Sequence, residues 1–404
     1  MKNYLLMHKN IVVAGFSLDN SEVTTLFIGK NSWKHLPLPL KKLVHFGSYY
    51  ITEEKENTLS INEEGACLLE IWLGDRTIPA DRSNRHKYIP KGMTALSYML
   101  NAHSCSFTDC YWTKEITENI SWDEVKLYNN KRIDRLSVLE KNTELGEIYS
   151  NINSTLGGTL EKYWYYSEYK GKKQLMLAKR TYQNEEILNI REIISNKIYE
   201  KQGYNNYCKY NYIRNRDGSI VGCKCRAFTS EDNELITVYD LLEEFNETQK
   251  SDIYNTIVNR AAAYGANPYE VRNQLDIQTI VDYLITNRDR HQNNIGFIRD
   301  PNTLRIKHIA PIFDSGSSIY LEGELPESVL RTTAHNLYNT ELECINSISN
   351  IGILDTNKLP SNSWVLKELK KANNLSQYRI EKLYKLYKDK VIYIKDLQSN
   401  RNKF

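Results

Sequence analysis

Two carboxylates and one carboxamide occur in the stretch 287–318 in an order that suits phosphoryl transfer. Asp289 is followed five positions later by Asn294, and a short hairpin pattern at 295–309 leads to a second carboxylate, Asp314. Phosphoryl transfer needs an Asp that orients and deprotonates the attacking hydroxyl, together with Asn and Asp oxygens that hold Mg²⁺ on the nucleotide phosphates. A β-hairpin brings the residues before and after it close together. The stretch therefore predicts a kinase active centre. Asp289 would be the catalytic residue, and Asn294 and Asp314 the metal ligands.

A turn of small residues lies upstream and is followed by a strand that ends in lysine. Gly157 and Gly158 belong to the turn STLGGT, and glycine lets backbone N–H groups approach a phosphate closely. Hairpins also use Gly-Gly turns, so the strand LMLAK after the turn adds to the signal. Lys179 ends that strand, where the strand lysine of a kinase reaches the α- and β-phosphates. A strand-end surface lysine, like its neighbours Lys172 and Lys173, is the alternative.

The joint pattern resembles a known family. D-R-H-x-x-N at 289–294, followed about twenty residues later by a hydrophobic residue, Asp314 and Ser315, resembles the catalytic core of HipA-like serine/threonine kinases. That family includes the toxin of a bacterial toxin–antitoxin pair. The order D-R-H instead of H-R-D, and Phe313-Asp314-Ser315-Gly316 instead of D-F-G, separate the chain from eukaryotic-type kinases. The motifs support the resemblance over roughly 149–320.

The resemblance implies an α+β, bilobal protein-kinase-like fold, with a small β-rich N-lobe and a larger helical C-lobe after a small N-terminal domain. We expect an N-terminal α+β domain at 1–145, the N-lobe at 146–228 and the C-lobe at 229–404. Apolar spacing predicts helices at 93–102, 184–203, 238–245, 249–264 and 275–286, and strand-like patterns run from 1 to 73, ACLLEIWLG among them.

Further site residues follow from the same resemblance. Thr155 takes the place of an autophosphorylated hydroxyl in the glycine loop, with Ser154 as a neighbouring candidate. Glu192 is the expected carboxylate partner of Lys179, while Glu185, Glu186 and Glu200 compete for that role. The exit of the strand pair at 207–228 should be the hinge that meets adenine. The complete predicted ATP-binding set is Thr155, Gly157, Gly158, Lys179, Glu192, Ala227 and Phe228.

Three other side chains of the catalytic stretch have open roles. His291 would act either as a general base or as a neutral side chain that packs under the catalytic loop and hydrogen-bonds its backbone. Arg288 and Arg290 flank Asp289, and one of them would bind a substrate phosphate or a phosphorylated loop.

Composition limits the class of protein. Hydrophobic residues make up 41% and charged residues 25% of 404 residues, which is typical of a soluble globular chain. A net charge of +3 makes direct nucleic-acid binding through bulk electrostatics unexpected. No apolar run approaches a membrane span, and the start MKNYLLMHKN favours a strand over a signal peptide. Seven cysteines without C-x-x-C argue against structural zinc and favour reduced thiols in the cytoplasm.

These patterns predict an ATP- and Mg²⁺-dependent serine/threonine protein kinase that regulates itself by phosphorylation in the glycine loop. Its expected partners are a protein substrate bearing Ser or Thr and, if the chain is a toxin, a cognate antitoxin protein. The alternatives are a small-molecule kinase and a catalytically silent nucleotide-binding regulator on the same fold.

Overall fold

The computed structural model describes residues 1–82, 85–128, 138–142, 146–149, 151–155, 160–181, 186–247, 252–316, 337–373 and 375–401. Its strands are β1 (Lys2–His8), β2 (Ile11–Asp19), β3 (Glu22–Gly29), β4 (Ile51–Glu54), β5 (Thr58–Ile61), β6 (Tyr111–Glu115), β7 (Val138–Asn142), β8 (Gly146–Tyr149), β9 (Glu161–Tyr169), β10 (Lys172–Arg180), β11 (Asn211–Arg214), β12 (Ile220–Arg226), β13 (Glu234–Thr237), β14 (Gly296–Arg299) and β15 (Ile306–Ile309). Its α-helices are α1 (Leu38–His45), α2 (Gly47–Tyr50), α3 (Glu63–Asp75), α4 (Arg85–Tyr88), α5 (Ala95–Asn101), α6 (Trp122–Val125), α7 (Glu186–Gln202), α8 (Val238–Glu243), α9 (Ile253–Ala263), α10 (Pro268–Ile285), α11 (Glu341–Asn346), α12 (Asn362–Leu369) and α13 (Gln377–Arg401). Antiparallel strand pairs together with long helices confirm the α+β class.

The residues pack into two compact units. Unit 1 comprises Met1–Ala178, Thr229–Gln249 and Arg299–Arg305, and unit 2 comprises Lys179–Phe228, Lys250–Ile298 and Ile306–Phe404. This grouping differs from the expected division into 1–145, 146–228 and 229–404, which stays a prediction.

Unit 1 is built on a six-stranded sheet of order β4-β5-β3-β2-β1-β6. Leu6 and Ile28 of this sheet pack with Leu69 of α3 and Met99 of α5 in one apolar core. The segment 66–74, expected as a strand, is helical. The Asn62 side chain accepts a hydrogen bond from the Gly65 N–H and starts α3, whose buried residues recur at helical spacing.

A buried charge cluster also belongs to unit 1. Arg299 Nε donates to Glu234 Oε1 at 2.7 Å, and Arg299 Nη2 donates to the Tyr111 hydroxyl at 3.0 Å. His8 Nε2 lies 3.3 Å from the other Glu234 carboxylate oxygen. The cluster therefore fixes the segment Arg299–Arg305 within unit 1.

Unit 2 is dominated by helices. Apolar residues of α7, α10, α12 and α13 form a single core, and α10 is buried along most of its length. The buried Lys390 of α13 donates to Glu341 Oε1 at 2.6 Å and to the Tyr283 carbonyl at 2.9 Å. This contact fixes α13 against the end of α10, the helix that leads into the catalytic stretch.

Among the residues that the structure describes, no helix combines the length and apolar character needed to cross a membrane. All seven cysteines fall in described ranges and are free thiols.

Candidate active site

The amine of Lys179 joins two carboxylates that come from distant parts of the chain. Lys179 Nζ donates to Glu192 Oε1 at 2.8 Å and to Asp314 Oδ1 at 2.8 Å. The three residues are buried, with 4%, 2% and 8% of their surfaces exposed. Lys179 thus lies inside unit 2 instead of on the surface, and Glu192 contacts it. Of its competitors, Glu185 lies outside the described residues.

Close backbone packing positions both ends of this cluster. Gly222 of β12 lies against the end of β10, and a Cβ added to it would be 2.3 Å from the Lys179 carbonyl oxygen. A Cβ added to Gly316 would be 2.3 Å from the Leu188 carbonyl oxygen and 2.7 Å from Glu192 Cγ. Real Cβ atoms do not approach so closely, so both positions require glycine.

Asp314 has a left-handed backbone conformation, with φ of +53°. Such a conformation costs a non-glycine residue on the order of 1–3 kcal/mol and is enriched at functional sites. The next residue is held on both sides, because Ser315 N donates to Glu192 Oε2 at 3.1 Å and its hydroxyl accepts from Arg290 Nη2 at 3.2 Å. The Asp314 side chain is therefore presented from a fixed segment.

Burial and charge act in opposite directions on this cluster. Burial lowers the pKa of Lys179, but Asp314 and Glu192 outweigh it, and the pKa lies well above its ordinary value of 10.5. Burial raises the pKa of Glu192 more than Lys179 lowers it. One ammonium shared by two carboxylates leaves a surplus of negative charge, which suits a divalent cation.

Arg290 connects the catalytic stretch to the segment that carries Asp314. Arg290 is 4% exposed, and it donates to both oxygens of Asp282 at 2.7 and 3.0 Å. Its Nη1 donates to the Asn294 carbonyl at 2.9 Å and to the Phe313 carbonyl at 2.6 Å. Burial lowers the pKa of Arg290, but the Asp282 carboxylate outweighs it and raises the pKa above its ordinary value. Arg290 is thus an internal link, and as a substrate-phosphate ligand it would have to give up these bonds.

Asp289 lies in a loop that is held by its neighbours. α10 ends at Ile285, and its cap, Thr286, has the left-handed conformation. Asn287 Nδ2 then donates to Asp282 Oδ1 at 2.8 Å. Asp289 N donates to Asn287 Oδ1 at 3.2 Å, and Asn294 Nδ2 donates to the Asp289 carbonyl at 2.8 Å. The Asp289 side chain remains half-buried. The loop backbone is fixed while the carboxylate stays accessible.

His291 hydrogen-bonds the loop backbone, as one of its two predicted roles requires. Its Nδ1 accepts from the Asn293 N–H at 3.2 Å, and its Nε2 lies 3.9 Å from Asp289 Oδ1. The side chain is 39% exposed, so it lies beside the loop and not beneath it.

The donor set fits Mg²⁺. Asp314 offers a carboxylate, and Asn294, whose amide nitrogen is engaged by Asp289, offers its amide oxygen. In the described part of the chain no group of three or more His, Cys, Asp or Glu side chains could hold a metal. Mg²⁺ in phosphoryl-transfer sites is commonly held by one or two protein oxygens together with substrate phosphates and water.

The predicted hinge residues follow directly after β12. Ala227 and Phe228 are half-buried, and the Phe228 ring lies 5.7 Å, centroid to centroid, from that of Phe313. The structure therefore brings Phe228 next to the segment that carries Asp314.

Of the glycine-loop residues, Thr155 and Ser154 are described and belong to unit 1. Thr155 is half-buried, and its hydroxyl donates to the Cys105 carbonyl at 3.1 Å. Ser154 is 1% exposed. Gly157 and Gly158 lie outside the described residues.

Sequence reasoning missed Asp282 and gave Asn287 and Ser315 no role. Asp282 is a buried carboxylate in the otherwise apolar end of α10, and it binds both Arg290 and Asn287. An Asp within the apolar run at the end of the helix, just before the D-R-H motif, was the available signal, because buried carboxylates require partners.

Three comparisons with known proteins bear on this site. No protein-family model matches the chain. Over 107 residues the chain is 30% identical to the serine/threonine-protein kinase CtkA of Helicobacter pylori, a match that covers 25% of this chain. The chain thus spans about a third, 32%, of that relative's length.

Two solved structures are similar at low TM-scores. The proinflammatory kinase CtkA of Helicobacter pylori has a TM-score of 0.43 and 18% identity, and the match covers 60% of this chain and 92% of that one. HipA of Shewanella oneidensis, from a toxin–antitoxin complex with HipB and operator DNA, has a TM-score of 0.45 and 14% identity, with 97% and 96% covered. At these values neither structure assigns a role to a residue of this chain.

The resemblance to serine/threonine kinases inferred from the D-R-H-x-x-N motif is confirmed by the sequence comparison. Part of this chain is related to a bacterial serine/threonine-protein kinase.

Proposed function

We propose that the chain is an ATP- and divalent-metal-dependent serine/threonine protein kinase. The observation that supports it most is the contact of one buried lysine with both Glu192 and Asp314. A lysine paired with a helix glutamate and an aspartate after a short hairpin are the parts that kinases use to hold nucleotide phosphates. The partial identity to a serine/threonine-protein kinase agrees with this chemistry.

The residues of this chain would divide the reaction as follows. Asp289 orients the Ser or Thr hydroxyl and accepts its proton while the hydroxyl oxygen bonds to the γ-phosphorus and ADP leaves. Lys179 contacts phosphate oxygens and neutralises their charge, and Glu192 keeps its amine in place. Asn294 and Asp314 would hold Mg²⁺, which neutralises charge on the phosphates when it is bound. Most of the rate gain would come from positioning and electrostatic stabilisation.

The nucleotide would also contact Gly157, Gly158 and Thr155 through loop N–H groups and Ala227 and Phe228 through the hinge backbone. These contacts are inferred from the order of the segments in the chain. Autophosphorylation at Thr155 would first require the loss of its hydrogen bond to the Cys105 carbonyl. Ser154, almost fully buried, is the less accessible hydroxyl.

The substrate is proposed to be a protein. Because the motifs resemble those of HipA-like toxin kinases, a cognate antitoxin protein is a proposed partner. The seven free thiols agree with a cytoplasmic location, where thiols stay reduced.

Transfer of labelled γ-phosphate tests the proposal. The full chain is incubated with Mg²⁺, γ-labelled ATP, a mixture of general Ser/Thr protein substrates and, separately, a panel of lipids and aminoglycosides. The proposal expects label on Ser or Thr of protein, with Asp289→Asn as the inactive control. Label on small molecules alone would identify a small-molecule kinase, and ATP binding without any transfer would identify a silent regulator.

A further inference from the structure

One guanidinium nitrogen holds the main chain of both proposed metal-ligand segments. Arg290 Nη1 donates to the carbonyl of Asn294 and to the carbonyl of Phe313, the residue before Asp314. The two segments meet at this nitrogen even though the hairpin β14–β15 separates them in the chain. A change at Arg290 would therefore act on the spacing of the two ligands without touching either ligand side chain.

Asp282 fixes the orientation of that guanidinium. It accepts from Arg290 Nε at 2.7 Å and from Arg290 Nη2 at 3.0 Å, a two-point contact that a planar guanidinium forms best. The same carboxylate accepts from Asn287, whose side chain in turn accepts from Asp289 N. Asp282 therefore supports the metal-ligand segments and the loop of the catalytic base at once.

Stabilisation of the fold alone is a weak explanation for the buried ion pair of Arg290 and Asp282. Replacing a buried ion pair with apolar residues of similar volume is often neutral or stabilising, because desolvation opposes the Coulomb attraction. Besides Asp282, the Arg290 guanidinium donates to the Asn294 carbonyl, the Phe313 carbonyl and the Ser315 hydroxyl. The arrangement suits a positioning function for the segments that contain the proposed metal ligands.

We propose that Arg290, oriented by Asp282, is a positioning residue that sets the spacing of Asn294 and Asp314 and thereby the affinity of the site for Mg²⁺. The proposal rests on the proposed function, since it assumes that these two residues hold the metal. It assigns Arg290 an internal role in place of the substrate-phosphate contact left open by the sequence.

The test measures the metal concentration that half-saturates binding of a fluorescent, non-hydrolysable ATP analogue, as Mg²⁺ is added. In parallel, Mn²⁺ replaces Mg²⁺, and electron paramagnetic resonance follows the release of Mn²⁺ from the protein. Neither readout requires turnover. Replacing a partner that orients metal ligands typically weakens metal affinity 10–100-fold, so Arg290→Met should raise the half-saturating metal concentration by at least about tenfold. Asp282→Asn should move it in the same direction. Nucleotide affinity without metal should stay near wild type.

Two milder variants keep the test informative if Arg290→Met does not fold. Ser315→Ala removes one acceptor of Arg290 and should shift half-saturation about threefold, the effect of one hydrogen bond. Arg290→Lys keeps the positive charge but loses the planar, two-point donor geometry of the guanidinium. Its half-saturating metal concentration should therefore lie between those of wild type and Arg290→Met.

Arg272→Met is the matched control. Arg272 forms an ion pair with Asp276 at 3.3 Å on the same helix, α10, and its other hydrogen bonds go to Asn255, Ser347 and Ser349. Its loss should lower the melting temperature and leave the metal half-saturation unchanged.

Two outcomes would overturn the inference in distinguishable ways. A folded Arg290→Met or Arg290→Lys protein with wild-type half-saturation would remove the positioning role and leave the proposed kinase intact. A wild-type protein whose nucleotide binding does not respond to metal would remove the proposed function itself.

Discussion

The Lys179 amine lies 2.8 Å from the Asp314 carboxylate although 135 positions separate the two residues in the chain. The same amine lies 2.8 Å from Glu192, so both carboxylates depend on one buried cation. This relationship connects the end of β10, helix α7 and the segment after β15.

Lys179→Met should abolish phosphoryl transfer and also destabilise unit 2. Loss of a preorganised donor to a charged transition state typically costs about 10²–10³-fold in rate. Because Glu192 and Asp314 would stay buried without their cation, the free energy of unfolding should fall by about 3–5 kcal/mol. Urea denaturation and labelled-phosphate transfer measure the two effects. In the double variant Lys179→Met/Glu192→Gln, stability should recover in part while activity stays lost; no recovery would argue against a shared cation.

Asp289→Asn should separate chemistry from binding. The substitution keeps the volume but removes the charge that assists the hydroxyl, so turnover should fall about 10²–10⁴-fold. ATP affinity, measured by calorimetry, should change little. A variant that loses ATP affinity but keeps its rate of transfer at saturation would show that Asp289 has another role.

Gly316→Ala tests whether close packing sets the position of Glu192. The new methyl group would meet the Leu188 carbonyl oxygen at 2.3 Å and Glu192 Cγ at 2.7 Å, so α7 or the Asp314 segment must move. We expect a loss of activity of at least about tenfold, as for other residues that orient a site. Gly171→Ala is the control, since the left-handed backbone at this position also strains an alanine while a Cβ there meets no atom within 4 Å. Equal activity of the two variants would contradict the packing argument.

The acid stability of unit 1 should depend on Glu234. Burial raises the pKa of Glu234, but Arg299 and His8 outweigh it and lower the pKa from 4.5 to about 2. A carboxyl with a lowered pKa contributes stability above its unfolded-state pKa and loses it as pH falls from 4.5 towards 2. Its contribution at neutral pH is about 3 kcal/mol, at about 1.4 kcal/mol per pKa unit.

Urea midpoints at pH 5.0 and pH 3.5 would measure this dependence. Glu234→Gln should be less stable than wild type at pH 5.0, and the difference should shrink at pH 3.5. A difference that is the same at both pH values would show that Glu234 does not titrate with the lowered pKa.

Autophosphorylation should favour Thr155 over Ser154. Thr155 is half-buried and has one hydrogen bond to lose, whereas Ser154 is 1% exposed. A phosphate adds about −1.5 to −2 charges at neutral pH and would repel ATP phosphates, so activity should fall. Intact-mass analysis of wild type, Thr155→Ala and Ser154→Ala after incubation with ATP decides between them. A phosphate on neither residue, or one that leaves ATP affinity unchanged, would remove the switch.

The sequence predicted the parts of this site that depend on residue type and order. Asp289, Asn294 and Asp314 were predicted as site residues because phosphoryl transfer restricts the residue types, and their roles stay predictions. The helix that carries Glu192 followed from apolar spacing. The strand predicted at 66–74 was wrong because a short apolar run fits a strand or a helix, and the Asn62 cap favours the helix. The roles of Asp282 and Arg290 depend on tertiary contacts over several elements, which spacing along the chain does not encode.

Phosphoryl transfer by a folded Asp314→Ala protein tests the central claim most directly. Wild type and variant are compared with Mg²⁺ and γ-labelled ATP after circular dichroism has shown that both are folded. If Asp314 is the principal metal ligand, wild type transfers phosphate to Ser or Thr and the variant shows no transfer above background. Comparable turnover by the folded variant would contradict the account.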